Sequence, residues 1–176
     1  MHLQPRSTND QLLAFVASDY SPKKANYLAL AIRSGKFAHL YNSGDGSIEA
    51  ESAEIVKPNE HYLLDLKKFG QRTELRVNGK KVPVRGKLAP FMAGTNLFIG
   101  GIAPGIVVNP RIGGASPFSG CISKVDSFII PFFYVLALSL QSVIIVVPCK
   151  RNFGFTVFTV TTYIVLLCVK CTNPAL

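Results

Sequence analysis

The sequence predicts a mostly β protein, an antiparallel β-sandwich or jelly roll, and three observations carry the prediction. Six or more short strand candidates recur at roughly ten-residue spacing between turn signals. No stretch before residue 127 has the periodicity of an amphipathic helix. One segment, "TELRVNGKKVPVRG" (73–86), is built around Asn78-Gly79, the dipeptide favoured in two-residue hairpin turns because both positions take positive φ.

In chain order, "QLLAFVAS" (11–18) opens the strand series. In "NYLALAIRSGKFAHLYN" (26–42), Leu28, Leu30 and Ile32 share one face, Ser34-Gly35 turns the chain, and Phe37 and Leu40 open the return strand. His39, in that return strand beside no Cys or Ser motif, reads as a partly buried, hydrogen-bonded structural residue. "EAESAE" (49–54) reads as an exposed acidic strand, and "EHYLLDLKKF" (60–69) carries Tyr62, Leu64 and Leu66 at period two. The Asn-Gly turn sets the hairpin register, so that Arg76 faces Lys81 and Leu75 faces Val82. Leu75, Val77, Val82 and Val84 then share the buried face, and Arg72, Glu74, Arg76, Lys81 and Arg85 the outer one. "NLFIGGIAP" (96–104) is a strand ending in a Gly-Gly bend, and "FSGCISKV" (118–125) is the last strand of this part.

Charge divides the 176 residues in two. Residues 1–126 hold sixteen Lys/Arg and ten Asp/Glu, whereas 127–176 hold Lys150, Arg151 and Lys170 and no acid. The first part is read as the sandwich domain and the second as a hydrophobic tail of one or two helices or disorder. Residues 128–148 are charge-free over about the ~20 residues a transmembrane helix needs, and 153–169 form a second, slightly short run. An anchor that displays the sandwich and a translated read-through past an exon boundary both suit such a tail.

A net charge of +9 favours polyanionic partners. Nucleic acid is not expected, because base stacking wants aromatic residues among the basic ones, and none lies inside the main basic cluster. Of the four cysteines, Cys149, Cys168 and Cys171 lie in the tail, and the C-x-x-C at 168–171 lacks a second metal-ligating pair. "MHLQPRSTND" has no apolar core of a signal peptide. No G-x-S-x-G, P-loop or H-E-x-x-H motif is present.

Three stretches in fixed order carry a family resemblance. "NDQLLAFVASDYSPKKANYLALAIRSGKFAHLYNSGDGS" (9–47), "NLFIGGIAP" and "PFSGCISKV" together resemble the laminin G family over about residues 5 to 125. The resemblance implies a jelly-roll-like sandwich of matrix and cell-surface proteins such as laminin α chains, agrin, perlecan and neurexins. Such domains bind heparan sulfate, sulfated lipids, glycans or receptors and are not enzymes. The pattern also implies strands before "PRSTNDQLLAF" and a closing strand after "GCI", where this chain has "SFIIPFFYVLALSL", so the domain is expected to be incomplete. A disulfide from Cys121 to a downstream cysteine is a further implication.

The resemblance puts calcium ligands at Asn26, near Ser43 with Asp45 beside it, and near Met92. Asn26 brings no charge and no acid lies near Met92, so calcium, a hard cation that prefers anionic oxygens, is expected to bind weakly here. The glycan or partner site is placed on Arg72, Arg76, Lys80, Lys81, Arg85 and Lys87. Opposed like charges such as Arg76 and Lys81 are unfavourable unless an anion bridges them. A solvated edge kept soluble by lysine is the alternative reading of this cluster. An enzymatic alternative is a lichenase-type glycoside hydrolase. The spacing of "EAESAE" resembles that family's catalytic strand and offers Glu49 and Glu54, with Glu51 on the face of Glu49. The absence of Trp and the small residues between the acids argue against it.

Overall fold

The computed structural model describes residues 1–125 except 22, 45–46, 70, 85–88, 90–92 and 113–115, together with 143–147 and 156–160 of the tail. Arg85, Lys87, Asp45 and Met92, named above, therefore lie outside the described residues, as do Cys149, Cys168 and Cys171.

Thirteen strands are described: β1 (His2–Pro5), β2 (Gln11–Ala17), β3 (Tyr27–Arg33), β4 (Lys36–Asn42), β5 (Ser47–Ile55), β6 (Tyr62–Phe69), β7 (Arg72–Val77), β8 (Lys80–Val82), β9 (Leu97–Ile99), β10 (Ser116–Pro117), β11 (Gly120–Ser123), β12 (Val143–Val147) and β13 (Thr156–Val160). They form a five-stranded sheet ordered β11-β1-β6-β7-β8 and an eight-stranded sheet ordered β13-β12-β9-β2-β3-β4-β5, with β10 beside β2. Pairing is antiparallel except for β10 with β2 and β12 with β9. The result is a β-sandwich, as expected.

The predicted hairpin register is met residue for residue. Leu75 pairs with Val82 and Arg76 with Lys81. Asn78 and Gly79 take φ of 50° and 79°, the left-handed pair of a type I′ turn. Asn78 contributes more than its backbone freedom. Its Oδ1 accepts a bond from Leu63 N at 2.8 Å, and its own N–H donates to Leu63 O at 2.8 Å, fastening the turn to β6. Leu64, Leu75, Val77 and Val82 then point inward with Leu30, Ile32 and Phe37 of the other sheet. Phe37 meets Tyr62 edge-on across the sandwich, with ring centroids 5.0 Å apart.

The larger sheet is buried on its second face too. Leu12, Phe15, Tyr27, Ala29, Ala31, Leu40 and Phe98 form a second cluster, packed against Ile102, Ile106, Val108 and Ile112. The small side chains of Ala29 and Ala31 let that connection lie close on the sheet.

The three sequence motifs converge at one place. Gly100 N donates to Leu13 O, and Phe118 N donates to Gly100 O, each at 2.9 Å. The buried Gln11 accepts from Ser119 N through Oε1 and donates from Nε2 to the carbonyls of Ser7 and Asn9. Gly120, with φ of +155°, has no room for a side chain: a Cβ there would lie 2.3 Å from Gln4 O and 2.8 Å from the Phe118 ring. These backbone exchanges lock β2, the Gly-Gly bend and the Phe-Ser-Gly-Cys element together.

Two expectations are corrected, and the described part of the tail adds two observations. Residues 2–5, outside the expected strands, form β1, placed between β11 and β6. A four-residue segment ending in proline carries too little alternation to be read alone. His39 is completely buried, but neither ring nitrogen has a hydrogen-bond partner of good geometry among the described residues. The described parts of the spans 128–148 and 153–169 are strands, rich in β-branched residues that suit a pleated sheet. No helix among the described residues is long and apolar enough to cross a membrane. Finally, the tail contributes to the sheet. β12 takes the open edge of β9 in parallel, Val143 opposite Leu97, and β13 follows it.

Candidate functional site

The outer face of the smaller sheet carries the basic cluster. Once Leu64, Leu75 and Val82 turn inward, alternation sends Asp65 and Lys67 of β6, Arg72, Glu74 and Arg76 of β7, and Lys81 of β8 outward. Asp65, Arg76 and Lys81 form one cross-strand row, and Lys67 lies opposite Glu74. Four cations and two carboxylates give this described patch a net charge of +2.

Glu74 organises the patch. Its Oε1 accepts from Arg76 Nε at 2.5 Å, and its Oε2 lies 3.1 Å from Lys81 Nζ. The hydrogen bonds from Arg76, and then from Lys81, hold the Glu74 carboxyl below its ordinary range. The bridging anion that the opposed pair Arg76 and Lys81 requires is thus supplied by the chain itself. Lys67 Nζ pairs with Asp65 Oδ2 at 3.2 Å. Arg72 makes no ion pair among the described residues. All these groups are substantially exposed, so their pairings add little to stability and chiefly set the local field.

Lys80 leaves the cluster. It starts β8 with the opposite parity to Lys81, and its Nζ is bound by Glu54 of the other sheet. Sequence reading put Lys80 with its neighbours because a turn has no obvious side. It missed Lys67 and Asp65, although Leu64 and Leu66 facing inward would have shown both pointing out.

The alternative carboxylate pair does not assemble. Glu49 is bound by Arg33 within its own sheet, whereas Glu54 is held by Lys80 across the sandwich. Glu51, beside Glu49 on the outer face, lies 3.8 Å from Lys36. Two acids directed to different partners on different sides cannot flank one glycosidic bond.

At the expected calcium position, Asn26 exchanges backbone contacts with Ser18, donating to its Oγ and accepting from its N–H. Its Oδ1 reaches the β4–β5 turn, 3.4 Å from where a Cβ on Gly44 would lie, so Asn26 and the Ser43–Gly44 backbone do come together. The nearby Asp19 accepts from Ser21 N at 2.6 Å and from Ser18 Oγ at 3.2 Å, and the Ser21 bond is the main reason its carboxyl is lowered. No group of three or more His, Cys, Asp or Glu able to hold a metal forms among the described residues. A hard cation would meet an amide and carbonyl oxygens there rather than a set of carboxylates, and the described residues do not fit it.

Cys121, on β11 opposite Gln4, is disulfide-bonded.

Fold and face together define a class: a two-sheet sandwich that presents charge on a sheet surface, as protein modules that bind other molecules do. The chain belongs to the laminin G domain family, whose model matches residues 5–127. Residues of the chain are 25% identical over 126 positions to the basement membrane proteoglycan of Caenorhabditis elegans, a match covering 71% of this chain. They are 28% identical over 127 positions to mouse laminin subunit alpha-1, covering 65% of it. In each case the match spans 4% of the relative's length. Among solved structures, domains LG4-5 of the mouse laminin alpha1 chain superpose with a TM-score of 0.54 at 16% identity, covering 67% of this chain and 31% of that one, which supports the fold.

Proposed function

We propose that this chain is a non-enzymatic extracellular binding module that recognises a sulfated, heparan-sulfate-like glycan through the outer face of β6, β7 and β8. The observation that carries the reading is the convergence of Lys67, Arg72, Arg76 and Lys81 on one exposed sheet surface. Strands place these cations side by side, so successive anionic groups of one extended chain can meet them together. Two relatives, a basement membrane proteoglycan and a laminin subunit, support a place in the extracellular matrix. Binding of this kind is dominated by charge and weakens as salt rises.

The test is retention on immobilised heparin. Arg76→Ala and Lys81→Ala should each lower the eluting salt concentration, and by similar amounts, because one carboxylate and one ligand group link the two residues. Retention unchanged by both substitutions would remove the proposal.

A further inference from the structure

Glu74 sits where a ligand anion would sit. Its two oxygens take different cations, Arg76 through Nε at 2.5 Å and Lys81 through Nζ at 3.1 Å. Those cations come from directly opposed residues of β7 and β8. A sulfate ester would offer the same donors the same kind of paired acceptor oxygens. The side chains of Glu74, Arg76 and Lys81 are 28%, 46% and 63% exposed, so a ligand has open access and no buried contact resists exchange.

We infer that Glu74 is a built-in counter-ion that competes with the glycan for Arg76 and Lys81 and makes this face selective for chains bearing several sulfates over single anions. The inference rests on the glycan-binding reading of the face. Glu74 stands two residues from Arg76 on the same strand, so its carboxylate is always present at high effective concentration. A lone sulfate or carboxylate from solution gives Arg76 and Lys81 nothing that Glu74 does not already give, and it loses translational freedom on binding. A chain with several anions has a second foothold in Arg72, which makes no ion pair among the described residues. Once displaced, Glu74 faces the bound polyanion as a like charge. Its negative charge therefore opposes binding twice, as competitor and as repulsive neighbour.

The experiment compares wild type, Glu74→Gln and Glu49→Gln on immobilised heparin in a salt gradient. Both substitutions remove one negative charge, but Glu49 lies on the other sheet, bound by Arg33. Glu74→Gln should elute at clearly higher salt than wild type and Glu49→Gln, and Glu74→Ser should shift the same way. Inorganic sulfate should displace Glu74→Gln at lower concentration, relative to other salts of equal ionic strength, than it displaces wild type. Elution of Glu74→Gln at or below wild type, or together with Glu49→Gln, overturns the inference; if wild type is retained in that case, the glycan reading still stands. Passage of both wild type and Glu74→Gln without retention ends both. Retention of Glu74→Gln without wild type would overturn the selectivity claim, because Glu74 would then exclude the polyanion as well.

Discussion

Acidification from pH 7 to pH 5 should destabilise this sandwich through His39. The residue lies on β4, paired with Leu30 of β3 and Ala50 of β5, and is 0% exposed. Its ring stands edge-on to Tyr41, with centroids 6.3 Å apart, and neither nitrogen has a hydrogen-bond partner of good geometry among the described residues. Burial is the main cause that brings its pKa down to about 4 from an ordinary 6.5; the charge of Lys68 adds to the lowering, while the backbone of Ala29 and Leu40 offsets part of it. A histidine whose folded pKa lies below its unfolded one is neutral in both states above pH 6.5. As pH falls below that, the unfolded chain takes up the proton and the folded chain does not, so stability declines until the folded pKa is passed. At about 1.4 kcal/mol per pKa unit, linkage gives a loss of about 2 kcal/mol between pH 7 and pH 5, rising to about 3 kcal/mol below pH 4. The lowered carboxyls Glu74 and Asp19 act in a separate window. What they add is present above their ordinary values of 4.5 and 3.8 and is lost only as pH falls through their still lower folded values. Urea unfolding at pH 7, 6 and 5, with His39→Leu as reference, isolates the effect. The variant should lose the greater part of the decline between pH 6.5 and 5. An equal decline in wild type and variant would refute the reasoning.

Other outcomes follow from the same geometry. Leu75 is 0% exposed at the centre of the core, so Leu75→Ala should lower unfolding free energy by about 3 kcal/mol. Asn78→Ala removes both a residue tolerant of positive φ and the acceptor for Leu63 N, and should lower it by about 1–2 kcal/mol, with Asn78→Gly recovering only the backbone part. Both are checked by chemical denaturation. Calcium at millimolar concentration should leave the melting temperature unmoved relative to magnesium; a calcium-specific rise abolished by Asn26→Ala would show that donors beyond the described residues complete a site.

What the sequence made legible was local. The hairpin register was readable because Asn78-Gly79 permits one turn type, and the turn then assigns every neighbour to a face. The shared face of Leu28, Leu30 and Ile32 was readable for the same reason of period. What was hidden depended on partners distant in sequence. Ala29 and Ala31 gave no sign of burial, because their cover comes from the connection of Ile102 to Ile112. The bridging role of Glu74 needs two strands in register and a side chain that reaches diagonally, which no linear pattern encodes. Lys80 was grouped with the basic cluster at the turn because its partner, Glu54, lies twenty-six residues earlier in the opposite sheet. In the tail, "VIIVV" is equally apolar in a bilayer or a sheet edge, and periodicity alone does not separate them. The family motifs, by contrast, were readable as words before their physical meaning was. Gly120 is required because a Cβ there would collide with Gln4 O and the Phe118 ring, and Gly100 and Phe118 are tied together by a backbone hydrogen bond between the motifs.

The central claim concerns one face of the smaller sheet, and the most direct measurement locates the ligand on it. Isotope-labelled protein would be titrated with a short heparin oligosaccharide and followed residue by residue by NMR. The account predicts that signals of Lys67, Arg72, Glu74, Arg76 and Lys81 move together, while the exposed Lys23 and Lys24 and the Arg111 beside Ser47 stay still. Shifts centred on Lys23, Lys24 and Arg111, with the β6–β8 face unmoved, would contradict it.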